Sequence, residues 1–233
     1  MGHSSGIGVL DKVVLVLRSA ATEPSGLAQL VADTGLPRAT AHRLAVGLEI
    51  HGLLERDSSG RWRPGPLLAV LAAGAPDPLL AAAADVLPRL RDRTGESVQL
   101  YRLDGLSRVC VAVAEPPVGL RDTVPLGARL SMTAGSGAKV LAAWADSATV
   151  RAVLPDAVFT ERTLAEVRRR GWAQSVAERE PGVASVSVPV RDSSGGVVAA
   201  VSVSGPVERL GRRPGERWAD DLIAAAAAIT AEL

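Results

Sequence analysis

The 233-residue sequence is poor in aromatic side chains, which make up 3% of it, and it holds a single cysteine, Cys110, and three histidines. With so few rings, a core must be built mostly from Val, Leu and Ala. One cysteine excludes an internal disulfide framework and points to a cytoplasmic chain. No uninterrupted apolar run approaches the ~18 residues that cross a bilayer, and the Ala-rich stretch Leu222 to Ile229 is far too short, so no membrane partner is expected. Met1 to Gly8 shows no basic segment followed by an apolar core, which argues against a signal peptide. Zinc-ligand spacing, a Gly-x-Ser-x-Gly elbow and a two-metal carboxylate cluster are also missing. His3, His42 and His51 all lie toward the N-terminus, which leaves the rest of the chain without a histidine base. The expectation is therefore no enzyme, no catalytic residue, no metal and no cofactor.

Lysine is scarce as well, with 2 against 24 arginines, and the net charge is only +1. Residues 1–70 hold seven Lys/Arg and six Asp/Glu, and the remainder is neutral at 19 against 19. Charge alone therefore does not argue for nucleic acid. Pattern does. Val9, Val13, Val16 and Leu17 are spaced for one face of a helix ending near Ala20. Pro24-Ser25-Gly26 breaks it, and Ser25 is placed to cap a second short helix carrying Leu27, Leu30 and Val31, stopped by Gly35. Pro37 stands where a third helix would open, running to His51 with Leu44, Leu48 and Ile50 inward. Two short helices joined by a Gly-containing turn form the helix-turn-helix signature. Asp57-Ser58-Ser59-Gly60 then reads as the turn of a basic hairpin flanked by Arg56, Arg61 and Arg63, with Trp62 as its packing anchor.

Pro66 to Gly74 reads as an apolar helix, and Ala75-Pro76-Asp77-Pro78 marks a boundary. The expected division is a winged helix-turn-helix domain over 1–65, a linker helix over 66–76, and a second domain over 77–233. The second domain should hold a long helix over Asp77 to Thr94 and strands at Glu96 to Leu103 and Ser107 to Glu115. A mixed region follows over Gly119 to Met132, then a helix opening at Ala134-Gly135-Ser136-Gly137. A charged helix is expected over Glu161 to Arg170, strands at Val183 to Arg191 and Val197 to Ser204, and a last helix over Gly215 to Leu233. Hairpin strands with helices around them give an α+β class with a mostly antiparallel sheet.

The run Gly26-Leu27-Ala28-Gln29-Leu30-Val31-Ala32-Asp33-Thr34-Gly35-Leu36-Pro37-Arg38-Ala39-Thr40-Ala41-His42-Arg43-Leu44 resembles the DNA-binding half of the IclR family. Leu120 to Gly127, Val183 to Val190 and Ala199 to Pro206 resemble its second half, in the right order. The opening Ser5 to Lys12 and the segment Arg170 to Ser175 are similar to the NdgR-type branch of actinobacteria, tied to amino-acid and notably leucine biosynthesis genes. The resemblance implies a transcription regulator with a GAF/PAS-like effector domain. It also implies a homo-oligomer, a dimer or a dimer of dimers, on a double-stranded DNA operator.

In such a protein the recognition helix enters the major groove by its first turns, where Arg38, Thr40, His42 and Arg43 stand. Arg43 has a rival reading, a pairing with an acid of its own domain. Arg56, Arg61 and Arg63 are expected on phosphates.

In the second domain, the free N–H groups at Gly135-Ser136-Gly137 offer a seat for a carboxylate. Alternation puts Ser202 and Ser204 on one face, and Ser185 and Ser187 on one face of the neighbouring run. The resemblance places effector contacts at Ser136, Gly137, Ser175, Ser185, Ser202 and Ser204, with Met132 and Val124 as apolar wall. Better-known members carry an acid at Ser175 and a cysteine at Ser185. An amino acid or keto acid is the expected ligand, held without an arginine or lysine aimed at it. Cys110 reads as a buried inert thiol, with a redox switch as the alternative and Arg108 taken to point to the opposite face. A winged interaction module that never touches DNA is the other rival.

Overall fold

The computed structural model of the chain describes residues 5–74 and 77–233, in two units that divide at Pro76 and Asp77. His3 and the Ala75-Pro76 part of the expected boundary lie outside the described residues.

The N-terminal unit runs α1 (Gly8–Thr22), α2 (Leu27–Thr34), α3 (Arg38–Ile50), a hairpin of β1 (Leu54–Arg56) and β2 (Trp62–Pro64), and α4 (Pro66–Ala73). Its core is small and aliphatic apart from one ring: Val16 and Ala20 of α1, Leu30 of α2, Ala41, Ala45 and Leu48 of α3, then Leu54 and Trp62 of the hairpin. Alanines at the crossing of α3 let the helices approach closely. Ser19 ties α1 to α2 by donating to Asp33 at 2.6 Å.

Three local expectations are corrected. Ser25 does not cap α2, whose N-cap is Gly26. Its buried backbone instead exchanges two hydrogen bonds with Trp62, at 2.8 and 2.9 Å, and so adds a third rung to the hairpin. Pro37 is the N-cap of α3, not its first residue. Ile50, expected inward, is the last residue of α3 and is 75% exposed. Gly65 is required where the chain leaves β2: a Cβ there would stand 2.3 Å from the Gly52 carbonyl oxygen.

The C-terminal unit is one six-stranded sheet with helices on both faces. Its elements are α5 (Pro78–Thr94), β3 (Ser97–Asp104), β4 (Ser107–Ala114), β5 (Arg129–Ser131), α6 (Ser136–Ala143), α7 (Ser147–Val153), α8 (Glu161–Arg170), β6 (Ala173–Val176), β7 (Val183–Arg191), β8 (Val197–Pro206), α9 (Val207–Leu210) and α10 (Pro214–Thr230). Strand order is β5-β4-β3-β8-β7-β6, antiparallel throughout. This is the α+β class with an antiparallel sheet.

Alternation decides what each face carries. Val98 and Leu100 of β3, Val186, Val188 and Val190 of β7, and Val201 and Val203 of β8 pack under α5 and α10. Tyr101, Cys110 and Ala200 face the other way, toward α6 and α8. On that second face the register aligns polar side chains in two rungs. Ser97, Ser204, Ser185 and Ser175 follow one another across β3, β8, β7 and β6, and Gln99, Ser202 and Ser187 form the rung beside them. A run of short polar side chains under an apolar layer is the floor of a site.

Candidate DNA interface and effector pocket

On α3 the first turn presents Arg38, exposed, and Thr40, half-buried, with His42 and Arg43 exposed further along. Among the described residues neither Arg38 nor Arg43 pairs with an acid, so the intradomain pairing weighed for Arg43 is absent. His42 leans edge-on against Trp62, with ring centroids 6.0 Å apart and planes at 73°.

The hairpin arginines are all engaged. Arg56 lies over the Trp62 ring, 4.1 Å from its centroid, and donates Nε to both oxygens of Glu49 at 3.1 and 3.2 Å. Arg61 pairs with Asp57 at 2.8 Å and Arg63 with Glu55 at 2.7 Å. Arg56 thereby braces the hairpin against α3, whereas the Arg61 and Arg63 pairs are solvent-exposed and cheap to exchange for a phosphate.

In the C-terminal unit, Ser136, Gly137, Ser175, Ser185, Ser202 and Ser204 line one cavity between the first turn of α6 and the sheet. Their hydroxyls are joined in a chain. Ser175 and Ser185 are 3.1 Å apart, Ser185 and Ser136 2.7 Å, Ser136 and Ser187 2.7 Å, and Ser187 and Ser202 2.5 Å. Ser204 donates to Gln99 Oε1 at 3.1 Å, and Gln99 Nε2 has no partner among the described residues.

Val124 and Met132 do not line the cavity; they are buried in the apolar layer with Tyr101 and Cys110. The expectation of an apolar wall at these two residues is corrected: each contributes to the core that backs the site.

A second correction concerns charge. Arg108 of β4 is 3% exposed and lines the cavity, on the same face as Cys110 rather than the opposite one, since two residues along a strand return to the same side. Among the described residues no acid pairs with it. Nη1 donates to the carbonyls of Ser131 and Ala134, the guanidinium stacks at 5.5 Å from the Tyr101 centroid, and Nε has no partner. Burial, and then the charge of Arg179, pull its pKa down to about 10. A Cβ on Gly135 would stand 3.1 Å from Arg108 Nη2, so the glycine is what lets the guanidinium reach the start of α6. Asp122 and Arg179, also in the lining, pair across the cavity mouth.

One signal in the sequence marks Arg108. It is a lone charge at the head of the apolar strand run Val109-Cys110-Val111-Ala112-Val113, and buried charges are rare unless they have work to do. The Gly135 N–H is not free either, as it donates to Glu178 Oε2 at 3.1 Å. Cys110 is fully buried and its thiol is pushed up to about 11, chiefly by burial, which disfavours the thiolate a redox switch needs.

Residues 9–58 match the IclR helix-turn-helix domain and residues 76–231 match the C-terminal domain of bacterial transcriptional regulator IclR. The chain belongs to the IclR family. It is similar to the HTH-type transcriptional regulator BhcR of Paracoccus denitrificans, 30% identical over 96% of this chain and 86% of that protein. It is similar also to the glycerol operon regulatory protein of Streptomyces coelicolor, 32% identical over 80% of this chain and 79% of that one.

Among solved structures, an IclR regulator from Alicyclobacillus acidocaldarius superposes with a TM-score of 0.84 at 26% identity, covering 97% of this chain and 98% of that one. An IclR homologue from Microbacterium hydrocarbonoxydans, complexed with 4-hydroxybenzoate, superposes at 0.83 and 25% identity with the same coverage. The chain is thus a transcriptional regulator and not an enzyme, with a DNA-binding helix-turn-helix and an effector domain of the IclR type. Among the described residues no single helix is long and apolar enough to cross a membrane.

Proposed function

We propose that this IclR-family regulator is controlled by a small carboxylate, an amino acid or 2-oxo acid, bound between Arg108, the first turn of α6 and the serine floor. One observation carries the reading: Arg108 is buried in the cavity lining and, among the described residues, has no acid partner and no partner for its Nε. A charge left so in a low-dielectric site is costly, and an anionic ligand offsets that cost. Gln99 Nε2 and Arg108 Nε supply two more donors without partners, and the hydroxyl chain adapts to either polarity. The 4-hydroxybenzoate bound by the Microbacterium homologue is a carboxylate of this general kind. With a guanidinium aimed at the ligand, affinity should be on the order of micromolar rather than millimolar. The cavity volume is only about 20 Å³, room for one water, so the ligand enters by widening the site.

The regulator acts in the cytoplasm as a dimer or dimer of dimers on a near-palindromic operator. Its targets follow the NdgR-type resemblance, amino-acid and notably leucine biosynthesis genes. Arg38 and Thr40 read bases, Arg43 and His42 flank them, and Arg61 and Arg63 hold phosphates once they exchange their surface acids. Titration calorimetry with leucine, 4-methyl-2-oxopentanoate, pyruvate and 4-hydroxybenzoate tests the ligand class. Binding by wild type that Arg108→Met and Ser202→Val abolish is expected; undiminished binding in both variants would place the site elsewhere.

A further inference from the structure

The turn after β6 is fastened on two sides by neighbouring residues of opposite charge. Glu178 reaches the start of α6: Oε2 accepts the Gly135 N–H at 3.1 Å, and Oε1 accepts Lys139 Nζ, which also donates to the Gln174 carbonyl at 2.9 Å. The next residue, Arg179, gives Nη2 to both oxygens of Asp122 at 2.7 Å. Asp122 belongs to the loop between β4 and β5, so the two loops are clasped over the cavity. Just before this pair, Ala177 holds a φ of 55°, the single positive value at a non-glycine among the described residues, and Gly182 closes the turn at 78°.

The seat for an anion is thus already filled by the protein's own carboxylate, yet Glu178 does not pair with Arg108. The buried guanidinium beside Gly135 keeps its Nε without a partner. A ligand carboxylate brought to Arg108 would meet Glu180 of the same turn and Asp122, both in the lining, as like charges, and Glu178 as a rival for the Gly135 N–H, in a cavity of about 20 Å³ that admits neither an amino acid nor an oxo acid.

We propose that the turn 177–182 is the entry latch of the effector pocket and that Glu178 is its built-in competitor. An anionic effector takes the Gly135 N–H and Arg108, expels Glu178, and releases a turn that Arg179 and Asp122 otherwise hold shut. Expulsion breaks the ion pair of Glu178 with the buried Lys139, a cost that water around the freed carboxylate and the effector's own charge beside Lys139 must offset, while Lys139 keeps the Gln174 carbonyl. The left-handed Ala177 relaxes at the same time, so the closed turn stores part of what opens it. Position 178 then sets how much anion is needed before the domain changes state. This inference rests on the reading that the effector is a carboxylate held by Arg108.

Glu178→Gln in the full-length protein removes the charge and keeps the size. Two readouts judge it. Hydrogen exchange without ligand should speed up in 177–182 and at the Gly135 amide; exchange unchanged from wild type overturns the latch whatever the ligand proves to be. Calorimetry with pyruvate, 4-methyl-2-oxopentanoate and 4-hydroxybenzoate should show tightening by about tenfold, the worth of one charge-assisted hydrogen bond no longer competed for. Binding that is equal or weaker in the variant overturns the competitor. If neither protein binds any of the three, the carboxylate reading fails by itself, and exchange still decides the latch. Tight binding that survives in Glu178→Gln/Arg108→Met places the ligand elsewhere and sinks both ideas. Should Glu178→Gln fold poorly, Lys139→Met frees Glu178 from the other side and must give the same faster exchange.

Discussion

The indole N–H of Trp62 donates to Glu49 Oε2 at 2.9 Å, joining the second strand of the hairpin to the recognition helix α3. Arg56 Nε donates to both oxygens of the same carboxylate. The hydrogen bond from Trp62 and then the Arg56 guanidinium hold the Glu49 carboxyl below its usual range. A depressed carboxylate contributes stability that is fully present above its unfolded value and is lost as pH falls through the folded one. Trp62→Phe keeps most of the ring and loses the donor. It should cost ~1–2 kcal/mol of stability, a typical price for leaving a charged acceptor short of one bond. Thermal melts from neutral to acid pH check it. The gap between variant and wild type should narrow as Glu49 protonates, and a gap independent of pH would mean that packing, not the hydrogen bond, was lost.

Arg38 and Arg61 should separate specific from general DNA binding. Arg38→Ala removes an exposed, unpaired guanidinium from the first turn of α3 and should weaken operator binding by ~1–3 kcal/mol with little effect on scrambled DNA. Arg61→Ala should lower affinity for both and reduce the salt slope by about one ion. Its effect should be the smaller, because Arg61 must first leave Asp57. Gel-shift titrations at several salt concentrations measure both, and operator binding by Arg38→Ala equal to wild type would displace α3 from the groove.

Within the N-terminal unit, α1 leaves Val9 62% exposed with Leu10, Val14 and Leu15 also open, and α4 leaves Val70 66% exposed beside Leu71. Apolar faces of this extent on so small a unit call for a second copy, and a two-fold pairing would set two recognition helices about one DNA turn apart. Light scattering at micromolar concentration should report a dimer or tetramer. Val9→Asp with Val70→Asp should shift it toward monomer, and wild type at monomer mass throughout would remove the oligomer.

Arg108→Met should abolish effector binding and, against the usual trend for a buried site, raise the melting temperature. The folded pKa of Arg108, about 10, lies below its ordinary value. The unfolded chain therefore binds the proton more tightly, and the buried charge destabilises the fold at every pH below about 10. Removing an unpaired buried charge recovers several kcal/mol, against ~1 kcal/mol for each hydrogen bond lost at two carbonyls near the surface. A gain of about 2–4 °C per kcal/mol recovered is the scale to look for in calorimetry. A lower melting temperature would show that the carbonyl bonds outweigh the charge.

Cys110 should resist a thiol reagent in the native protein and react once the chain is unfolded, since its Sγ is buried and its pKa is raised to about 11. Rapid labelling in buffer near neutral pH would reopen the redox reading.

Local pattern suffices for much of this molecule. The three helices and the hairpin of the N-terminal unit announce themselves through apolar spacing and through Gly35 and Gly60, because helix and turn are settled within a few neighbouring residues. Strand alternation likewise places Ser185, Ser202 and Ser204 on the faces they occupy. Register did the rest: the strand order sets β8 between β3 and β7 and lays Ser202 beside both Gln99 and Ser187.

The charges of the pocket lie beyond local reading. Glu178 meets Gly135 across 43 residues and Arg179 meets Asp122 across 57, contacts that exist only once the sheet is assembled. Val124 and Met132 went the other way, into the apolar layer with Tyr101 and Cys110, although Asp122, two residues before Val124, lines the cavity. The wing's arginines show the same division. Their presence is a matter of sequence, but that Arg56 braces Glu49 and Trp62 while Arg38 stays unpaired depends on which acids the fold brings within reach.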